Sequence, residues 1–305
     1  MNGGSQIHHL TVSSGSATPG GLVLRTVSVC LVLAACQRTP ALSVGPLDRP
    51  EGIAQLLGLS ARARIERLGA HGWSGLSQLR VVSGERHDLL EETLGMVADG
   101  RGGRHLIHFT SHAGNESRAE GWEAYFLSGE YLVRPRYGPL VRRRPLGDEV
   151  ERASDDLVGT GRGYWEVLGR FVQPTVDGEV KFEGRPAVQV RLMRAAEPRL
   201  FEEDDPAHAW RQTIGVDLFE GELLVDRATG VLLSERYQAR YRSRRGEHDL
   251  STEITFHAQV EEIGQVPPVG VPEGVTVVDA PARPRPLLDR QRLLEGLASR
   301  RGEAP

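Results

Sequence analysis

Between residues 76 and 278, short segments of alternating apolar and polar residues are separated by glycine-containing turns, and this pattern constrains the fold most. Clear turns lie at 128–130, 183–186 and 226–230. Two strands joined by so few residues run antiparallel, because a parallel connection needs a crossover of a dozen residues or more. The sequence therefore predicts an α+β chain that is mainly β, with an antiparallel sheet.

Two other segments have helical spacing. Pro50 opens the first, which extends to Leu68 with apolar residues three and four positions apart. The second spans 147–172, where the glycine-rich run 159–163 is predicted to separate two helices. Residues 87–98 are interpreted as a strand, with a helix as the alternative. A long sheet has to curl, and one of its faces has to be covered. The helical segments are therefore predicted to lie on that face.

Near the start of the chain, an apolar run at 22–35 ends in Leu33, Ala34, Ala35 and Cys36. The run is too short for a permanent membrane span and fits the core of a secretory signal. The four residues resemble a bacterial lipobox, which implies that Leu33, Ala34 and Ala35 are read by a signal peptidase and that Cys36 carries a lipid. The alternative is an ordinary signal peptide, or a short buried helix, with a chance cysteine.

This interpretation divides the chain into a leader and signal peptide at 1–36, a flexible tether at 37–50, one domain at 51–280 and a tail or short helix at 281–305. The chain has two cysteines, Cys30 and Cys36, so the processed domain is expected to lack a thiol nucleophile, a thiolate metal site and a disulfide. The net charge of −4 argues against a nucleic-acid partner.

Three short motifs in the second half of the chain resemble those of LolA/LolB-like lipoprotein carriers. They are the hairpins at 180–190 and 222–233 and the Pro-x-Gly-Val segment that starts at Pro272. The resemblance implies a strongly curved, unclosed half-barrel of antiparallel strands, covered by helices over an apolar cavity that accepts acyl chains. The candidate lining residues are Leu94, Met96, Phe109, Trp122, Tyr125, Phe126 and Trp165.

Together these features predict a lipid-anchored lipoprotein of the bacterial cell envelope that faces the periplasm. Gln37 follows Cys36 in place of the aspartate that favours inner-membrane retention, which favours the outer membrane. The expected partners are the membrane, through the lipidated cysteine, and a lipid or acylated ligand bound without catalysis and without a cofactor. The alternative is an envelope scaffold or sensor module that binds another protein and carries no lipid.

Four groups of residues contain side chains that occur in catalytic, phosphate-binding or metal-binding sites, and none is assigned such a role. His105, His108 and His112 lie on a predicted strand, where His108 and His112 share one face and His105 points to the other. The acidic pairs at 155–156 and 202–205 are expected to be solvated. The glycine run 159–163 lacks the spacing of a phosphate-binding loop, and the arginines at 142–144 are expected to form an exposed run.

Overall fold

The computed structural model describes residues 46–114, 117–199 and 206–279. The predicted leader, lipobox, acidic run 202–205 and C-terminal tail 281–305 lie outside the described residues. Within the described ranges, no helix has both the length and the apolar character needed to cross a membrane.

Twelve strands form one sheet, which is strongly curved and not closed into a barrel. The strands are β1 His71–Ser83, β2 Arg86–Ala98, β3 Arg104–Ala113, β4 Arg118–Leu127, β5 Glu130–Pro135, β6 Leu140–Arg143, β7 Val172–Phe182, β8 Arg185–Arg194, β9 Gly215–Asp226, β10 Leu232–Arg245, β11 His248–Glu261 and β12 Val277–Asp279. Their order across the sheet is β12-β6-β5-β4-β3-β2-β1-β11-β10-β9-β8-β7.

The predicted antiparallel arrangement is confirmed for every pair but one. The hairpins predicted around 128–130, 183–186 and 226–230 are β4–β5, β7–β8 and β9–β10. Residues 87–98 lie in strand β2, which pairs with β1 and β3 and has no helical character. The exception is β12, which pairs parallel with β6 because the C-terminal segment returns to the sheet edge after β11.

The sheet has two different faces because side chains alternate along each strand. On β1, Trp73 and Leu79 are buried on the face that we call the inner face, whereas Leu76 is 58% exposed on the opposite, outer face. The register continues this division across the sheet. Ser77 lies opposite Phe256 of β11 and Glu92 of β2, all on the inner face.

Four short helices contribute residues to the core that covers the inner face. They are α1 Pro50–Leu57, α2 Ala61–Leu68, α3 Glu149–Val158 and α4 Thr160–Leu168. The single helix predicted from Pro50 to Leu68 is divided in two, because Ser60 caps a new helix by accepting from the backbone N–H of Ala63 at 3.2 Å.

The break within the second helical segment is narrower than predicted. Gly159 alone separates α3 from α4, and Gly161 and Gly163 lie inside α4. Gly161 lies where a side chain of the sheet approaches α4 closely. A Cβ atom at this position would lie 2.1 Å from a carboxylate oxygen of Glu235 on β10.

The outer face is covered at one end by the chain that follows β11. Val269, Val271, Val275 and Val277 pack against a second, smaller apolar cluster of Tyr125, Leu132 and Leu140. At the other end the sheet finishes with the edge strand β7, which is interrupted by a bulge between Val176 and Gly178. The position of Gly178, at φ +127°, favours glycine.

The two faces generate a direct prediction. Phe256 is fully buried on the inner face of β11, and its neighbour Thr255 is exposed on the outer face. Phe256→Ala is expected to lower the free energy of unfolding by about 3–5 kcal/mol through lost burial and a residual cavity. Thr255→Ala is expected to cost less than about 1 kcal/mol. Urea unfolding measures both, and equal effects would contradict the assigned register.

Candidate functional site

The centre of the interface between helices and sheet is a hydrogen bond between Tyr164 of α4 and Ser77 of β1. The two hydroxyl oxygens are 2.5 Å apart and both residues are buried. The Tyr164 ring also packs on Phe256 and Tyr237, with centroids 5.7 and 6.2 Å away. This contact fixes α4 over the middle of the inner face.

Arg64 connects the helices to one another. It is 1% exposed, and it donates from Nε to the carbonyl of Leu59 at 3.2 Å and from Nη2 to the carbonyl of Val158 at 3.5 Å. Asp155 of α3 accepts from the backbone N–H of Ala61, at the first residue of α2, at 2.7 Å. Because Arg64 and Asp155 satisfy helix ends that burial removes from water, α2 and α3 are held together as a unit.

Glu235 lies beneath these helices on the inner face of β10. It is 4% exposed, and its Oε1 has no hydrogen-bond partner among the described residues. Burial raises the pKa of Glu235 to about 8, against the opposing effect of the Arg64 charge. Burial also lowers the pKa of Arg64 to about 10.

His71 is the third buried titratable group of this interface. It is fully buried, and its Nδ1 lies 2.8 Å from the carbonyl of Gly69. Burial lowers the pKa of His71, and the neighbouring Arg64 charge lowers it further. The imidazole is therefore neutral near pH 7, with Nδ1–H donating to Gly69.

Two further ion pairs hold α3. Arg104 of β3 donates to both carboxylate oxygens of Glu151 at 2.8 and 2.9 Å. Arg143 forms a two-pronged pair with Glu149, and both side chains are less than 10% exposed. The guanidinium of Arg143 also lies 4.7 Å from the ring centroid of Tyr131. The prediction of an exposed run at 142–144 is thus wrong for Arg143, since strand alternation turns it towards α3.

The three histidines of β3 occupy the faces predicted for them, and each has an acidic neighbour. His108 on the inner face lies 3.0 Å from Glu92, and His112 lies 3.7 Å from Asp88. His105 on the outer face lies 2.8 Å from Glu123 and stacks on Tyr125. No cluster of three or more metal-ligating side chains occurs among the residues that the structure describes.

Five of the seven candidate lining residues belong to one surface. Leu94 and Met96 are buried in the main core, and Trp122, Phe126 and Trp165 pack against it. Phe109 and Tyr125 lie on the outer face. Phe109 pairs with Thr93 and Tyr125 pairs with His105, and both of these partners are outer-face residues. Whether the five inner residues line a cavity stays a prediction.

A continuous apolar row crosses the inner face next to the Tyr164–Ser77 contact. One directly paired residue from each of five neighbouring strands forms this inner row: Phe219, Ala239, Ile254, Leu79 and Leu90. All five are buried in the main core. At about 4.8 Å between strands, the row extends for about 19 Å. Sequence reasoning missed it because its members come from distant strands and only the register brings them together.

The β1–β2 and β10–β11 hairpins turn at the same end of the sheet, which we call the hairpin end and which lies to one side of the inner row. A pocket of about 360 Å³ lies there, lined by Arg80, His87, Asp88, Leu89, Ala113 and Gly114. Asp88 accepts from Arg86 at 2.8 Å. The hairpin end is thus polar and charged, in contrast to the inner row.

No protein-family model and no curated protein matches the sequence. Among solved structures, LprF from Mycobacterium bovis matches at 16% identity over 76% of this chain and all of that chain, with a TM-score of 0.29. The lipoprotein LppX from Mycobacterium tuberculosis matches at 10% identity over 72% and 98%, with a TM-score of 0.22. A domain described as an outer membrane lipoprotein-sorting protein, from Vibrio parahaemolyticus, matches at 11% identity over 65% and 89%, with a TM-score of 0.14.

The architecture that the resemblance to LolA/LolB-like carriers implies is confirmed. The described residues form the expected unclosed antiparallel sheet with helices packed on its inner face. At identities of 10–16% and these TM-scores, the matches carry no information on ligand, partner or activity.

The buried carboxyl group generates a pH prediction. The pKa of Glu235 is about 8 in the folded state and 4.5 in the unfolded chain, so the unfolded state loses its proton first as the pH rises. The free energy of unfolding is expected to fall by roughly 3 kcal/mol between pH 5 and pH 8 through this group.

Glu235→Gln is expected to remove that fall, measured as the difference from wild type in urea unfolding at each pH. Taking the difference also cancels His71, whose lowered pKa acts in the opposite direction. Glu253→Gln, on the outer face of β11, is the matched control and is expected to keep the wild-type profile. The same slope in wild type and Glu235→Gln would show that the Glu235 carboxyl is already ionised in the folded protein.

Proposed function

We propose that this protein is a lipid-anchored lipoprotein of the cell envelope that binds a lipid or acylated ligand on its inner face without catalysis. The observation that carries the proposal is the inner row, an apolar band across five strands of an unclosed sheet. Each CH₂ group of an acyl chain removed from water contributes about 0.8 kcal/mol. A chain lying along the row would therefore gain several kcal/mol.

The short length of the helices supports the proposal that a ligand can displace them from the inner face. Each of the four has eight to ten residues, which is too short to be stable alone in water. Their attachment to the sheet relies on a few polar contacts, chiefly Tyr164 with Ser77 and Arg104 with Glu151. A ligand that replaces the apolar contacts of the helices can occupy the inner row with few hydrogen bonds to break.

The pairing of ionisable side chains supports binding without catalysis. On the inner face, His108 lies against Glu92 and Asp88 is paired with Arg86. Each of these acidic side chains is paired with a basic side chain. Stabilisation of the inner face accounts for these pairs without a catalytic role.

The lipid anchor and the envelope location remain part of the proposal. Cys36 would carry the lipid, the segment 37–50 would act as the tether, and the domain 51–280 would face the periplasm, at the outer membrane. A tether of this length lets the domain reach away from the membrane surface while it stays concentrated there.

A variant that fills the inner row tests the binding function. Ala239 is 3% exposed at the middle of the row, and Gln238 beside it is exposed on the outer face. Mass spectrometry of the full-length protein is expected to find a co-purified lipid with wild type and Gln238→Trp. With Ala239→Trp, the lipid is expected to be lost while the thermal unfolding midpoint stays near that of wild type, because the indole occupies the space of the ligand.

Two results would contradict lipid binding. If wild type carries no lipid and Ala239→Trp unfolds more easily by about 1–3 kcal/mol, the inner face is already filled by its own side chains. The capture of a specific envelope protein by that lipid-free form would favour the scaffold or sensor function instead.

Anchoring can be tested separately. Cys36→Ala removes the acceptor of the lipid, so the protein is expected to move from the membrane pellet to the soluble fraction or to keep its leader. Cys30→Ala lies in the same apolar run and is the matched control, expected to remain membrane-bound. Fractionation and the mass of the processed chain measure both outcomes, and full membrane attachment of processed Cys36→Ala would refute lipidation at this residue.

A further inference from the structure

Two hydrogen-bond donors at the hairpin end are buried without an acceptor. Nη1 of Arg245, at the last residue of β10, and Nε1 of Trp210, in the 3-10 helix Pro206–Thr213, are shielded from water. Neither atom has a hydrogen-bond partner in the part of the chain that the structure describes. A buried donor left without an acceptor is costly, and the cost is greater for a charged guanidinium.

The two side chains belong to adjoining segments. The hydroxyl of Thr213 donates to the carbonyl of Trp210 at 2.7 Å and accepts from the backbone N–H of Arg244 at 2.7 Å. The 3-10 helix therefore docks on the end of β10, one residue from Arg245. Trp210 also packs against the main core.

Strand alternation places Arg245 on the inner face. Tyr241 and Ser243 are buried on that face, and Arg245 is the next residue in the same series. Its neighbour Arg244 points to the opposite side, where it lies 3.5 Å from Asp249 and is well exposed. The guanidinium of Arg244, on the outer face, thus has a carboxylate partner, whereas Arg245 has none among the described residues.

We propose that Arg245 and Trp210 bind the anionic headgroup of a lipid whose acyl chain lies on the inner row. This inference rests on the proposed function and specifies its ligand as a phosphate-bearing amphiphile. A phosphate oxygen accepts from both a guanidinium and an indole N–H, and its negative charge supplies the partner that Arg245 lacks among the described residues.

The distances fit one acyl chain. Six residues separate Arg245 from Ala239 at the centre of β10, or about 20 Å along a strand. A bilayer is about 40 Å thick with its headgroups, so one lipid extends for about 20 Å from its headgroup to the end of its chain. With the headgroup at Arg245, the chain would run along β10 and reach the inner row at Ala239.

The test compares two lipids with identical acyl chains, phosphatidylglycerol and uncharged diacylglycerol. Native mass spectrometry of the full-length protein, released from a non-ionic detergent, measures the affinity for each. Wild type is expected to bind phosphatidylglycerol at least about tenfold more tightly. Arg245→Gln is expected to remove the preference for phosphatidylglycerol and leave diacylglycerol binding unchanged. Trp210→Phe is expected to reduce the preference, and Arg244→Gln, the matched control, is expected to keep it.

Each other outcome overturns the headgroup site in a recognisable way. Equal binding of both lipids by wild type leaves the proposed function standing but refutes an anionic headgroup at Arg245. Binding of neither lipid refutes both proposals. Binding of inorganic phosphate alone that is lost in Arg245→Gln, without preference for phosphatidylglycerol, identifies a free-anion site and refutes the lipid source.

Discussion

The structure depends on covering one apolar face of a very large sheet. A twelve-stranded antiparallel sheet with one face in water has to bury the other, and open sheets of this size curl for that reason. Much of the helical cover consists of four helices of eight to ten residues, which owe their stability to the sheet on which they pack. Cover and sheet are therefore stable only together. Under the proposed function, a ligand with a hydrocarbon chain would compete with the helices for the same surface.

Polar groups inside this apolar interface set where the helices lie. The buried Arg64 and Glu235 add little net stability, because burial removes both side chains from water. They do specify geometry: Arg64 joins two helix ends, and the Glu235 carboxyl group lies against Gly161 of α4. The Tyr164–Ser77 hydrogen bond fixes the same helix over β1. The interface thus combines non-directional apolar packing with a few directional contacts.

The sequence predicted the strands, the hairpins and the two-faced sheet because these follow from local alternation and turn chemistry, as at 183–186 and 226–230. It also placed His108 and His105 on opposite faces. It could not predict the inner row, Arg64 or Glu235, since their partners lie far away in the chain and meet only through strand register. For the same reason the sequence does not separate Phe109 and Tyr125 from the aromatic residues of the inner face. The face on which an aromatic residue of a strand lies is known only once its pairing partners are known.

The outermost strand β7 has a consequence for how copies of this protein behave at high concentration. An uncovered strand edge can extend the sheet of a neighbouring molecule and start aggregation. Here the bulge at Val176 and Gly178 twists that edge, and Lys181, the sole lysine of the chain, adds an exposed charge to it. Crowded copies are thereby discouraged from joining edge to edge.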